Sequence, residues 1–388
     1  MGKILNWQES LMANSPNRDL DGLLVISLEQ AVAAPYAASR LADAGARVIK
    51  VERPEGDFAR GYDADANGHS SYFVWLNRGK ESVVLDLKQH DDLQIFKQML
   101  SKADVFIQNL MPGALDRLGV SMADLRQADP RLITCDISGY GASGPFAQMK
   151  AYDFLVQAEV GLAQITGAPE EPGRVGVSIC DIAAGMTAHA AILQALVARA
   201  KTGEGRAIEV SLFHALADWM NVPYLQHHYG GREIRRPGLH HPTIAPYGAY
   251  RCGNDRMLLI SIQNEREWLR LCSDVLDQPD LSQNPKFDSN VHRVENRTSL
   301  DAIINGVFSQ YSIDEIAEKL QAAQIAFGRL NDMDVFTQHP QNRFVSVRTS
   351  AGDVQLLSPG AIVNGILPRL GDIPDLGQHS AAIRVEFS

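Results

Sequence analysis

The feature that most constrains this chain is its alternation of short apolar runs with helix-length segments through the first half. LLVISL (23–28) suits a buried strand, and PYAASRLADAG (35–45) follows as a helix, with Pro35 fitting its first turn and Gly45 its stop. RVIKVER (47–53), SVVLDL (82–87), a helix across DDLQIFKQML, DVFIQNL (104–110), two short helical stretches and RLITCDIS (131–138) continue the pattern. Strands separated by helices predict βαβ units: an α/β fold with a Rossmann-like, mostly parallel sheet in a large domain. After a helix over 184–200, the turn KTGEGR leads to a strand, IEVSL (208–212), and a helix through ALADWM. HHYGGREIRRPGLHHP (227–242) reads as a linker, APYGAYRCGNDRMLLISI as a hairpin around Gly253-Asn254-Asp255, and NEREWLRLCSDVL and SIDEIAEKLQAAQ as helices. The expected division is 1–225 as the large α/β domain, 226–330 as a smaller α+β domain with its linker, and 331–388 as a segment of strands returning to the first.

Composition removes several function classes. A net charge of -10 argues against a nucleic-acid partner, which needs a concentrated basic face. Cys135, Cys180, Cys252 and Cys272 are far apart and show no CxxC spacing, against a zinc site or disulfide framework. The adjacent pairs His227-His228 and His240-His241 lack accompanying ligands, so no metal is expected. MGKILNWQESLMANSPNRDL shows no leader pattern, and no uninterrupted apolar run reaches bilayer length. The expectation is a reduced, cytoplasmic protein with no membrane contact. The first βα turn, Ser27 to Pro35, contains no glycine, so it lacks the close backbone approach that dinucleotide binding needs. Neither GxxxxGK[ST] nor GxSxG occurs.

The stretch SGYGASGPFAQMKAYDFLVQAEVGLAQITGAPEEPGRVGVSICDIAAGM (138–186) carries the most information. With RLADAGARVIKVERPEGD (40–57), LNRGKESVVLDLK (76–88), QNLMPGALDRLG (108–119) and KTGEGRAIEVSL (201–212), it resembles, in order, the family III CoA transferases, the formyl-CoA and carnitine CoA-transferase group. The resemblance covers most of the chain and is strongest over about 24–215. It implies that Asp153 in AYDFLVQA is the catalytic aspartate. It implies that Arg53 and Arg117 hold the CoA nucleotide and phosphates, that Asn109 and Leu110 flank the adenine and pantetheine path, and that Tyr140 stands beside the reacting groups. Ala31 and Val32 occupy the CoA-facing turn where formyl-CoA transferases often carry a glutamine. Gln30 is two places earlier, which argues against formyl or oxalate specificity. An interlocked homodimer is also implied, with no cofactor beyond CoA as substrate.

The residues have plainer readings as well. Asp153 follows a Gly/Pro turn and precedes an apolar run, so it serves equally as a helix N-cap. Arginines suit phosphates through bidentate charge-assisted bonds, yet single arginines are ordinarily solvated surface residues. Arg232, Arg235, Arg236, His240 and His241 form a cationic cluster that fits the second carboxylate of a dicarboxylic acid, or an exposed linker face. Arg232, His240 and His241 are the substrate-site candidates.

The segment 236–268 is similar to the family branch acting on short dicarboxylates: itaconate, mesaconate, citramalate, malate or succinate. The partners expected are acyl-CoA and small carboxylic acids. Alternatives are an intramolecular C1–C4 transfer on mesaconyl-CoA, an α-methylacyl-CoA racemase, and a non-catalytic acyl-CoA-binding protein. Racemases of this type place His before the aspartate, where this chain has Tyr152.

Overall fold

The computed structural model describes residues 18–388; the N-terminal stretch inspected for a leader lies mostly outside them. The described chain forms two compact units. The first comprises residues up to Leu162, Val175–Gly230 and Arg343–Ser388; the second comprises Ala163–Arg174 and Gly231–Asn342.

The first unit carries a six-stranded sheet in which every pair is parallel. In chain order its elements are β1 (Leu24–Leu28), α1 (Ala33–Asp43), β2 (Arg47–Glu52), α2 (Ser71–Asn77), β3 (Lys80–Val84), α3 (His90–Ser101) and β4 (Val105–Gln108). Then follow α4 (Ala114–Arg117), α5 (Met122–Ala128), β5 (Ile133–Ser138), α6 (Asp153–Glu159), α7 (Ile179–Thr202), β6 (Ala207–Ser211), α8 (Leu212–Trp219) and α9 (Asn221–His228). The strand order β3-β2-β1-β4-β5-β6 reverses direction between β1 and β4, with Leu28 opposite Gln108. In such sheets ligands bind beyond the strand C-termini where the order reverses. The loops after β1 and β4 therefore mark the expected binding edge.

The strands are buried on both faces, which is why they read as continuous apolar runs. Val25, Val105 and Ile107 face α1 and α7; Ile26 and Phe106 face Phe96, Met99 and Ile383 on the other side. α7 has 24 residues and is apolar enough, by length and composition alone, to span a bilayer, a property the sequence reading did not register. Its apolar residues Ala183, Ala184, Ala188 and Ile192 are buried in the same core as α1, the pattern of a core helix. The contact is close: a Cβ on Gly185 would lie 2.7 Å from the Ala33 carbonyl oxygen.

The second unit packs an antiparallel sheet, β7 (Tyr247–Arg251), β8 (Met257–Ser261) and β9 (Ala326–Arg329), with α10 (Glu265–Arg270), α11 (Asn290–Glu295), α12 (Arg297–Phe308), α13 (Ile313–Ala322) and α14 (Met333–Thr337). Tyr250, Trp268, Leu300, Phe308 and Ile316 fill its core. The chain then re-enters the first unit as the hairpin β10 (Phe344–Thr349) and β11 (Gly352–Leu357), ending in α15 (Ser380–Glu386). His379 and Ser380 accept the outward N–H groups of Ser82 and Val84 at 3.1 and 3.0 Å, which closes the exposed edge of β3.

Candidate active site

Two aspartates meet where α6 and α7 begin. Asp153 is the first residue of α6, and Tyr152 occupies its cap position. Its carboxylate instead reaches the start of α7, where Oδ1 accepts the Cys180 N–H at 2.7 Å and the Asp181 N–H at 3.3 Å. These are first-turn amides that a helix cannot satisfy itself. Ser178, in the cap position of α7, makes no side-chain cap, so Asp153 caps that helix from 25 residues away in sequence. Oδ2 accepts the Gln157 Nε2 at 2.7 Å, and the buried Gln157 side chain also accepts the Val175 N–H. The helix-cap reading of Asp153 thus holds in altered form: it caps a neighbour.

Asp181 stands at the third position of α7. Among the described residues, its carboxylate makes no hydrogen bond or ion pair. Burial, and then the Asp153 charge, push its pKa up to about 7. Between them, Cys180 is buried, and burial followed by the two aspartates drives its thiol far above its ordinary range; it offers no thiolate to compete. Tyr62 and Tyr72 meet edge to face at 5.5 Å, and Tyr72 shares a 3.4 Å hydrogen bond with Ser178. Burial, with the carboxylates of Asp57 and Asp181, raises the Tyr62 hydroxyl to about 12. Tyr62 therefore stays a protonated donor at neutral pH. Sequence reasoning missed Asp181, Gln157, Tyr62 and Tyr72. Only Asp181 had a signal, the Ser178-x-x-Asp181 pattern that marks helix starts.

The loops after β1 and β4 are tied together. Asn109 accepts the Gln30 N–H at 2.9 Å and donates to the Gln30 carbonyl at 2.8 Å, while the Leu110 N–H donates to Gln108 Oε1 at 2.6 Å. Ala31 sits at φ +62°, a left-handed conformation unusual for alanine, and Val32 takes the cap position of α1. Arg53 is exposed, with its Nε donating to the Gly56 carbonyl at 3.0 Å. Arg117 ends α4, exposed and outside ion-pair range of any described carboxylate. Tyr140 is buried against Phe146 and Phe213, and its hydroxyl has no partner in the structure. Asp153, Ala31, Val32, Asn109, Leu110, Arg53, Arg117 and Tyr140 all belong to the first unit.

Arg232, His240 and His241 belong to the second. His241 stacks on Tyr247 at 5.1 Å, and His240 meets Tyr250 edge on, its Nδ1 3.9 Å from Asp301 Oδ2. Arg236 donates to three backbone carbonyls, of Gln164, Ala168 and Pro169, at 2.9–3.1 Å. It clips the linker to the segment that joins α6 to α7.

Residues 20–380 match the family model described as CoA-transferase family III. The chain belongs to that family. Its curated relatives include the acetyl-CoA:oxalate CoA-transferase of Acetobacter aceti, 35% identical over 96% of this chain and 97% of that one. The succinyl-CoA:glutarate CoA-transferase of Homo sapiens is 31% identical, covering 95% and 86%. Among solved structures, a CAIB/BAIF family protein from Brucella suis superposes with a TM-score of 0.82 at 32% identity, covering 96% of this chain and 100% of that one. The chain is a family III CoA-transferase with the α/β architecture that its sequence indicated.

Proposed function

We propose that this enzyme moves CoA from succinyl-CoA to a C4–C5 dicarboxylate such as itaconate, mesaconate or citramalate, through a thioester on an active-site aspartate. The sequence assigns that aspartate as Asp153; the hydrogen bonding favours Asp181 as the nucleophile, with Asp153 holding the helix that presents it. The observation carrying this choice is the contrast between the carboxylates. Both Asp153 oxygens accept hydrogen bonds, whereas the Asp181 carboxylate accepts none, and burial pushes its pKa up to about 7. Accepted hydrogen bonds draw charge from a carboxylate, so the unengaged and partly desolvated one has less stabilisation to shed when it attacks.

Transfer then runs in four steps. The Asp181 carboxylate attacks the donor thioester carbonyl, giving a mixed anhydride and CoA thiolate. The thiolate attacks the aspartyl carbonyl, releasing the donor acid and leaving an aspartyl-CoA thioester. The acceptor carboxylate attacks that thioester, forming a second anhydride and freeing the thiolate again. The thiolate takes the acceptor acyl group and restores Asp181. Each attack builds charge on a carbonyl oxygen, and the protonated Tyr62 hydroxyl is assigned as a donor for it. No cofactor beyond CoA enters this balance. Arg53 and Arg117 are assigned to the CoA phosphates.

A relative named for oxalate at 35% identity weighs against the expectation that the missing turn glutamine disfavours oxalate. Oxalate and glutarate therefore join the acceptor screen. The exposed Trp219, Val222, Tyr224 and Leu225 on α8 and α9 leave apolar surface that fits the homodimer implied by the family resemblance.

The test is to incubate the enzyme with succinyl-CoA and each acid, and follow new CoA esters by mass spectrometry. A new ester with one of the C4–C5 acids supports the reading, and none with any acid refutes it. A carboxylate with pKa near 7 is also what a proton-abstracting racemase would use. Deuterium uptake at the α-carbon of a 2-methylacyl-CoA in heavy water, without CoA transfer, would establish that second reading.

A further inference from the structure

We propose that Asp57 is a positioning residue for the acyl-transfer step, acting by holding the Ala31 turn from which α1 starts and packs against α7. The inference rests on the transfer reading above and adds to it a residue outside the Asp153–Asp181 pair.

Three consecutive residues of the β1–α1 turn are each held from outside it. The buried Glu29 carboxylate accepts from the Ser27 hydroxyl, from Lys80, and from Lys50 at 3.4 Å. Gln30 is bracketed by Asn109. The Ala31 N–H donates to Asp57 Oδ1 at 3.2 Å. Asp57 is itself fixed from every side: Oδ2 accepts Lys50 Nζ at 2.7 Å, Oδ1 also accepts the Ala59 N–H, and its own N–H donates to Glu52. Glu52 in turn pairs with Arg60 and accepts the Ser82 hydroxyl at 2.6 Å.

The Lys50, Lys80, Glu29 and Asp57 side chains are fully buried. Desolvating four charges is expensive, and apolar side chains of equal volume would ordinarily stabilise a fold at least as well. What the ions provide is a fixed geometry for a turn that alanine resists, since an L side chain rarely adopts a left-handed backbone conformation. That turn is linked to α7 through α1. α1 begins directly after it, its Ala33 carbonyl oxygen packs against Gly185 on α7, and Gly185 is four residues beyond Asp181. Asp57 and Asp181 also both act on the Tyr62 hydroxyl. A turn displaced by about 1 Å at such a place costs on the order of 100-fold in rate.

Asp57→Glu keeps the buried charge pair with Lys50 but moves the carboxylate off the Ala31 N–H; Asp57→Asn removes the charge. Both are made with and without Ala31→Gly, because glycine accepts a positive φ without strain. Expected for folded Asp57→Glu are a kcat for CoA exchange reduced by about tenfold or more, a KM for succinyl-CoA within about threefold, and several-fold recovery of kcat with Ala31→Gly. A merely structural role predicts a loss matching the unfolded fraction and no recovery. Folded Asp57 variants with kcat within twofold of wild type overturn the proposal, and so does failure of both to fold. Wild type without exchange activity would sink the transfer reading instead. Hydrogen exchange at residues 29–33 then still decides the turn's dependence on Asp57: about tenfold faster in Asp57→Glu if Asp57 holds it, and unchanged if it does not.

Discussion

Replacing Asp153 with alanine separates its service to α7 from any covalent role. The side chain satisfies two first-turn amides of a 24-residue helix and the amide of a buried glutamine. Losing a helix cap costs roughly 0.5–2 kcal/mol, and stripping Gln157 of its main acceptor adds about 1–2 kcal/mol. Gln157 keeps only a 3.5 Å contact from Nε2 to the Val175 carbonyl as an alternative. The sum, roughly 1.5–4 kcal/mol, corresponds to a fall in Tm of about 3–10 °C for a unit of this size. Asp153→Asn keeps one acceptor oxygen for the α7 amides and loses only part of this, about 1–2 kcal/mol. Thermal denaturation followed by circular dichroism measures both variants. A folded Asp153→Ala enzyme that retains some CoA transfer at low temperature agrees with a cap. Unchanged Tm with transfer wholly abolished would refute the reasoning and return the nucleophile's role to Asp153.

Asp181 gives a signed pH dependence. Its folded pKa of about 7 lies above the ordinary carboxylate value, so the folded protein holds a proton that the unfolded chain has lost, and stability falls as pH rises from about 4 to 7. Asp181→Asn should therefore melt higher than wild type at pH 8, with the difference vanishing near pH 4; melts across that range check it. Wild-type kcat/KM should rise through about pH 7 as Asp181 ionises. Gly185→Ala puts a Cβ 2.7 Å from the Ala33 carbonyl oxygen, forcing α1 and α7 apart at a cost of about 1–3 kcal/mol, with a parallel drop in kcat measured on the folded fraction. Arg236→Ala removes three bonds to carbonyls, and amide hydrogen exchange across 164–170 should accelerate by about tenfold or more.

The parallel sheet was legible because strands buried on both faces leave apolar runs such as LLVISL, and the helix starting at Asp153 because a Gly/Pro turn precedes it. The hairpin at Gly253-Asn254-Asp255 was equally plain, with Asp255 in the left-handed turn position. β9 was not: AFGR is short, mostly exposed and without alternation. α7 was read as starting at Ala184, where its apolar repeat becomes continuous, and the five residues missed include Asp181. That Asp153 caps this distant helix is a tertiary fact that no local pattern carries. Lys50, Glu29, Asp57 and Lys80 look like any charged residues along the chain, and only packing shows them buried together.

The central claim is covalent, and mass is its most direct readout. The enzyme is mixed with succinyl-CoA, quenched in acid, digested, and its peptides are weighed, with Asp181→Ala and Asp153→Ala as controls. A CoA-sized, hydroxylamine-sensitive adduct on the Asp181 peptide, absent in Asp181→Ala and present in folded Asp153→Ala, is the predicted result. An adduct on the Asp153 peptide would contradict the assignment, and no adduct on either during active CoA exchange would contradict the covalent mechanism itself.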